Sequence, residues 1–319
     1  MKWRALVLVL AAAALRLGFS AGVRDQSLRE AAQSSGVLIG TAVRPAQLSE
    51  AAYASTLARE FNMLEPEDVL KWEEVHPERQ SFDFSHADQI VDFAIRHGMK
   101  LRGHTLVRHR QNPQWLTEGK YTSGELAQIL EKHIKTVVGH YRGKIFAWDV
   151  VNEAFDELQP GKLRSTIWRD QPGIGLAGNG SSYIERCFRW AHEADPQALL
   201  FYNEAGAEVV NPKSDAIYAM VRDFRQRGVP IDGVGFQMHT EKLRADVAPI
   251  SANIKRFTAL GVEVHITEMD VALPVDPNGN PRFEDLQRQA DIYREVATAC
   301  LSHPGCTAIQ TWGFTDKYS

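Results

Sequence analysis

Two periodicities take turns along this chain. Short apolar runs with the length of buried strands occur at Val37–Val43, Phe61–Leu64, Lys100–Leu106, Ile145–Val151, Ala198–Tyr202, Gly233–Met238, Val262–Asp270 and Thr307–Phe314. Between them, apolar residues recur every three or four positions over Leu48–Phe61, Ser85–His97, Gly124–His140, Ser182–Ala194, Lys213–Arg227, Ile250–Leu260 and Phe283–Cys300. In the second of these stretches Ser85 suits an N-cap, Ile90, Phe93 and Ala94 mark the apolar face, and Gly98 stops the helix. Strand and helix alternating in this way predict a (β/α)8 barrel. No linker or break in composition divides the chain, so one domain is expected over residues 22–319. After the eighth strand the sequence ends at Ser319 with no closing helix. The expectation is therefore a fragment or a barrel left partly uncovered there.

The polar residues collect where the strands end. The run Trp148-Asp149-Val150-Val151 closes on Asn152-Glu153, and Val264-His265-Ile266-Thr267 closes on Glu268-Met269-Asp270. A buried strand has no structural use for a carboxylate at its tip, whereas the carboxyl ends of parallel strands are where ligands bind. An open doubly wound sheet would explain the alternation equally well. It would not naturally put carboxylates, amides and histidines at the ends of nearly every strand.

Composition narrows the picture by exclusion. The 319 residues are 44% hydrophobic and 24% charged with a net charge of −4, which gives no electrostatic reason to expect nucleic acid or an anionic membrane. Eleven histidines never fall in a metal-ligand spacing, and neither a P-loop nor a G-x-G-x-x-G is present, so no metal or cofactor is expected. The N-terminus reads differently from the rest. A basic Met1-Lys2-Trp3-Arg4, an apolar Ala5–Leu15 and small residues around Gly18, Ser20 and Ala21 resemble a secretory signal peptide over residues 1–21. An uncleaved anchor is the alternative that Arg16 keeps open. Cys300 and Cys306 flank Leu-Ser-His-Pro-Gly, a turn that would bring them within bonding reach, and a disulfide is expected there. Cys187 lies in a helical pattern as a small buried hydrophobe. Asn179-Gly180-Ser181 matches a glycosylation sequon, a motif common by chance.

Two glutamates on opposite sides of a barrel mouth suit glycoside hydrolysis. One carboxyl gives a proton to the leaving sugar oxygen while the other attacks the anomeric carbon. A separation of about 5–5.5 Å implies retention and about 6.5–9.5 Å inversion. Each glutamate alone would serve as well in a structural ion pair; Asn152 beside one and Asp270 beside the other favour chemistry.

Seven motifs in order then carry a resemblance. They are Phe61-Asn62-Met63-Leu64-Glu65-Pro66-Glu67-Asp68 with Lys71-Trp72, Arg102-Gly103-His104-Thr105-Leu106, Trp148 to Glu153, Gly235-Phe236-Gln237-Met238-His239, Ile266 to Asp270, and Trp312-Gly313-Phe314-Thr315-Asp316. Together they resemble glycoside hydrolase family 10, the endo-β-1,4-xylanases, over essentially Val37 to Ser319. The resemblance implies a retaining double displacement with Glu153 as general acid/base and Glu268 as nucleophile. It implies that Asn152 binds the sugar 2-hydroxyl, and that His239 and Asp270 orient Glu268. His104, Gln237 and Trp312 would line the reacting subsite, and Glu67, Asp68, Lys71 and Gln111 would bind the next sugar on the glycone side.

The sequence departs from the family's pattern at several places. Asp68 stands where Asn is usual, and Arg108-His109-Arg110-Gln111 replaces Trp-His-Ser-Gln. Arg108 thus puts a charge near two carboxylates in place of an apolar wall, which would lower the pKa of Glu153. Ala205-Gly206 replaces Tyr-Asn on the leaving-group side, and the family continues past Tyr318-Ser319 with a further Trp, a loop and a helix. The expected activity is that of a secreted (extracellular or periplasmic) endo-β-1,4-xylanase. It would act without a cofactor as a monomer on xylan or xylo-oligosaccharide, and bind no nucleic acid, nor a membrane once the leader is removed. The rival readings are a xylan-binding protein with an impaired site and a glycanase acting on another β-1,4-glycan.

Overall fold

The computed structural model describes residues 26–240, 243 and 247–318. The proposed leader lies outside them. Eight parallel strands close into a barrel: β1 (Leu38–Val43), β2 (Met63–Pro66), β3 (Lys100–Gly103), β4 (Ala147–Asn152), β5 (Leu199–Glu204), β6 (Gly233–Phe236), β7 (Glu263–Val271) and β8 (Cys306–Thr311). Each pairs with the next, and β8 returns to β1 through Leu38 opposite Ala308 and Thr41 opposite Thr311. A two-residue extension, His239–Thr240, adds to the outer end of β7. The helices Ala51–Glu60, Ser85–Arg96, Ser123–His140, Ser182–Ala194, Pro212–Gln226, Val247–Thr258 and Phe283–Leu301 lie in the seven successive connections.

These helices form where the apolar stripe and a stop signal agree. Ser123–His140 starts on a capping box between Thr122 and Glu125 and buries Leu126, Leu130, Ile134 and Val137 on one face. Three strands end before their apolar runs do: β3 at Gly103 rather than Leu106, β6 at Phe236 rather than Met238, and β8 at Thr311 rather than Phe314. One further helix, Leu28–Ser35, precedes β1. Its sequence signal, Ser27 three residues before Glu30, forms another capping box. Arg29 of that helix donates to the carbonyls of Ala58, Phe61, His97 and Gly98. It thereby satisfies carbonyls at the C-terminal ends of two helices, where a cation is favoured.

Cys300 and Cys306 are joined, with sulfurs 1.97 Å apart, across the turn between the last helix and β8. Cys187 is free and buried. Among the described residues no helix is long and apolar enough to cross a membrane.

Candidate active site

The register of the middle strands decides which side chains meet. Asn152 on β4 lies opposite Asn203 on β5, and Asn203 lies opposite Gly235 on β6. A Cβ on Gly235 would stand 2.1 Å from Asn203 Oδ1, so only glycine lets this amide sit level with the strands. Thr267 Oγ1 donates to Asn203 Oδ1 at 2.7 Å. That fixes the amide's orientation and turns its NH2 toward the mouth.

From there a chain of amides connects the two glutamates. Asn203 Nδ2 donates to Glu268 Oε1 at 2.7 Å and to Asn152 Oδ1 at 2.9 Å. Gln237 Nε2 donates to the same Asn152 oxygen at 3.2 Å and to Glu153 Oε1 at 3.1 Å. Asn152 Nδ2 is buried with no protein partner among the described residues. A buried amide N–H that the protein leaves unpaired can donate to an oxygen of a bound molecule.

The surroundings of the two carboxyls differ. Glu268 accepts from Asn203 and from His239, whose Nε2 lies 3.1 Å from Oε2; Nδ1 of the same ring lies 2.9 Å from Asp270 Oδ2. Burial opposes a charge on His239, but its bonds to Asp270 and Glu268 prevail and raise its pKa to about 10. It is therefore an imidazolium donating through both nitrogens, and the oxygens of Glu268 are fixed by one amide and one cation.

Glu153 stands one residue beyond β4, with φ at +54°, a region costing a non-glycine residue on the order of 1 kcal/mol or more. The turn is held from behind. Glu153 N donates to Asn203 O at 3.0 Å, Ala154 N to the Tyr202 hydroxyl at 3.0 Å, and Phe155 N to Glu204 Oε2 at 3.2 Å. Glu204 also accepts from Tyr202 at 2.5 Å, and Lys213 Nζ lies 3.3 Å from it. Burial raises the Glu204 carboxyl to about 7 despite that lysine. In front, Arg108 Nη2 donates to both oxygens of Glu153, at 3.1 and 3.3 Å. Burial pushes the Glu153 carboxyl up, but the Arg108 charge, the Gln237 hydrogen bond, and His109 and His104 outweigh it and bring it down to about 2.

The remaining residues singled out in the sequence line the same mouth. Trp312 is half-buried rather than core, with His104 and His239 edge-on to its ring at 5.5 and 6.2 Å and Lys71 Nζ 5.7 Å from the centroid. Lys71 and Glu67 do not form a helix-face pair. Lys71 pairs with Asp68 at 2.9 Å, while Glu67 pairs with Arg44 at 2.5 Å, because Pro66 belongs to β2 and Lys71 is the residue before a short helix at Trp72–Val75. Arg44 also reaches Asp68 at 3.2 Å, so the departure from Asn builds an ion-pair network at this subsite. Gln111 accepts from Arg108 Nη1 at 2.8 Å.

Sequence reasoning gave no role to Asn203 or to the buried charges beneath His104. In that layer Arg102 is bonded to Asp149 through two nitrogens, and its Nη1 lies 2.8 Å from His265 Nδ1. His104 Nδ1 lies 3.0 Å from Asp149 Oδ2. Burial, then the Asp149 charge, hold the Glu65 carboxyl well above the ordinary range. Charged residues inside apolar runs were the available signal. Glu65, His104 and Asp149 are the one group among the described residues with ligand atoms, all within 4.8 Å, spaced to hold an ion. Arg102, bonded to Asp149 and 3.9 Å from Glu65, already supplies the positive charge there.

Comparison with known proteins identifies the family of the chain. A family model described as glycosyl hydrolase family 10 matches residues 27–319. Endo-1,4-beta-xylanase B of Thermotoga neapolitana is 42% identical over 94% of this chain and 84% of its own length. Native xylanase 10B from Thermotoga maritima superposes with a TM-score of 0.85 at 42% identity, covering 92% of this chain and 88% of that one. Xylanase 10B from Thermotoga petrophila, solved in complex with xylobiose, gives 0.85 at 40% identity over 93% and 88%.

Proposed function

The chain belongs to glycosyl hydrolase family 10, and from that premise we propose that it is an endo-β-1,4-xylanase working by a retaining double displacement. The observation that carries the assignment of roles is the amide chain joining two unlike carboxyls, Glu153 and Glu268. Glu268, fixed by His239 and Asn203, attacks the anomeric carbon and the bond to the leaving sugar oxygen breaks. That oxygen takes its proton from Glu153. Water then attacks the same carbon, Glu153 removes its proton, and Glu268 leaves as a carboxylate. Asn152 Nδ2, which has no protein partner among the described residues, supports a role in binding the sugar 2-hydroxyl, a contact that strengthens as charge develops at the neighbouring carbon. Trp312 offers its face to the apolar side of the sugar ring.

Lys71 near Trp312, with Glu67 and Asp68 tied by Arg44, supports a glycone subsite here, and the family resemblance implies that such a subsite leaves little room for a hexose hydroxymethyl group. Hydrolysis of xylotetraose is expected to exceed that of cellotetraose by about tenfold or more in kcat/KM, as for a pocket that rejects one extra group. Product analysis by chromatography checks this, and equal rates would remove the specificity. Binding of xylan without release of reducing sugar would instead favour a polysaccharide-binding role.

The basic, then apolar, start of the chain and the Cys300–Cys306 bond support export to an oxidising compartment, extracellular or periplasmic. N-terminal sequencing of the protein recovered from culture fluid or periplasm is expected to begin near residue 22. Recovery of an intact Met1 from the cytoplasm would end that reading.

A further inference from the structure

The contact between Arg108 and Glu153 has a consequence for the order of the chemistry, resting on the assignment of Glu153 as acid/base. Arg108 is held at both ends. Its carbonyl accepts from Trp168 Nε1 at 3.1 Å and from Asn112 Nδ2 at 3.2 Å, and its Nη1 donates to Gln111 Oε1 at 2.8 Å. Its side chain is only 17% exposed and that of Glu153 only 11%, so water screens the pair weakly. The guanidinium therefore meets both Glu153 oxygens from a fixed position, and Gln237 donates to one of them as well. Every donor is aimed at a carboxylate. A protonated Glu153 would have to turn an O–H into this cluster of donors, beside a cation that has lost its partner.

No other charge around Glu153 reverses this. On the loop after β3, His109 Nδ1 lies 3.8 Å from Glu153 Oε2; burial, with Arg164, Arg110 and Arg108 nearby, holds its pKa at about 4. His104, the residue after β3, favours the carboxylate, while Arg164 Nε donates to the Glu153 backbone carbonyl at 3.4 Å. β6 contributes the neutral Gln237, and β5 contributes Glu204 from behind. Glu268 and its His239 partner stand at the far end of the amide chain.

We propose that Arg108 is a positioning residue that keeps Glu153 in its base form, so that the chain discriminates among substrates by the basicity of the leaving group. In the first step Glu268 forms its bond to the anomeric carbon, and the electron pair of the breaking bond goes to the leaving oxygen. A weakly basic phenolate departs as the anion, whereas a sugar alkoxide needs the proton that the Arg108 contact withholds. In the second step Glu153 accepts the proton of the attacking water, which is the state Arg108 favours. The first step is then slow and strongly dependent on the leaving group; the second is not.

The test is kcat/KM for aryl β-xylobiosides from 2,4-dinitrophenyl to phenyl, across pH, for the unmodified protein, Arg108→Trp, Arg108→Gln and Arg108→Lys. Removing the cation removes the partner of the charged form. Glu153 should therefore hold its proton to higher pH, and the alkaline limb for the phenyl substrate should move upward. The ratio of phenyl to dinitrophenyl rate constants is expected to rise about 100-fold in the Trp and Gln variants, the lower part of the range for general acid catalysis. The Lys variant, which keeps the charge, should retain the steep dependence. An unchanged ratio and an unchanged alkaline limb in folded Trp and Gln variants overturn the proposal. Failure of all four proteins to cleave the dinitrophenyl substrate would instead overturn the xylanase reading. The Gln variant keeps the test decisive if Trp does not fit the loop.

Discussion

Glu268→Gln is expected to lower kcat/KM on xylo-oligosaccharides by on the order of 10⁴- to 10⁶-fold, the scale seen when a covalent nucleophile is removed. The substitution keeps the shape of the side chain and leaves an oxygen for Asn203 Nδ2, now 2.7 Å from Oε1. It replaces the oxygen facing His239 with an NH2. Two donors would then oppose each other where an imidazolium now meets a carboxylate at 3.1 Å. The amide cannot form the glycosyl ester, so no rearrangement of the pocket compensates. Unlike Arg108→Trp, this substitution should affect dinitrophenyl and phenyl xylobiosides alike, because both require the same attack on carbon. A 2-fluoroxylobioside with a good leaving group should label the unmodified protein on Glu268, as read by peptide mass spectrometry. A label on any other carboxylate, or retention of more than about a hundredth of the activity by the variant, would sink the assignment.

The two glutamates stood out in the sequence because each follows an apolar run, a position that burial alone does not explain. The barrel was legible because strand and helix periods alternate, although the cap read at Ser85 is not formed: that helix starts on Phe84 without a side-chain cap, and Ser85 N instead donates to Asp83. Partnerships were much less so. Alternation along a strand says which face a side chain takes, but not which residue of another strand stands opposite, since that depends on stagger around the closed sheet. Asn203 could be placed at the tip of β5 from the sequence. That it carries the link between Glu268 and Asn152 follows only from its register with Asn152 and Gly235. Glu67 and Lys71 show the same limit: four residues apart, they take different partners, because Arg44 arrives from the end of β1. Arg108 is the converse case. Its position near the carboxylates followed from the resemblance, and its direction of effect from charge alone. The two-sided grip on Glu153 and the fixed loop beneath it required coordinates.

The buried layer under the site carries the second large effect. Arg102→Met is expected to destabilise the fold by about 3–5 kcal/mol, the cost of leaving a buried charge without its partner. Arg102 is fully buried, bonded to Asp149 through two nitrogens and stacked over Phe201 at 4.6 Å, so methionine replaces much of its volume but none of its charge. In the native fold burial pushes the Asp149 carboxyl up, but Arg102 and His104 outweigh it and hold it below its usual range. A depressed carboxylate adds stability above its unfolded pKa of about 3.9, and that contribution is lost as pH falls through the folded value. Without Arg102 burial dominates and the sign reverses: the folded pKa rises, and stability falls as pH rises through the unfolded value. The deficit of Arg102→Met should therefore be larger near neutral pH than at about pH 4. Adding Asp149→Asn removes the stranded charge, while the Asn oxygen can still accept from His104 Nδ1, so the double variant should recover part of the loss. Urea midpoints of the two single variants and the double variant, at both pH values, measure this coupling. A deficit independent of pH and unrelieved by the second substitution would show that the guanidinium acts through packing alone.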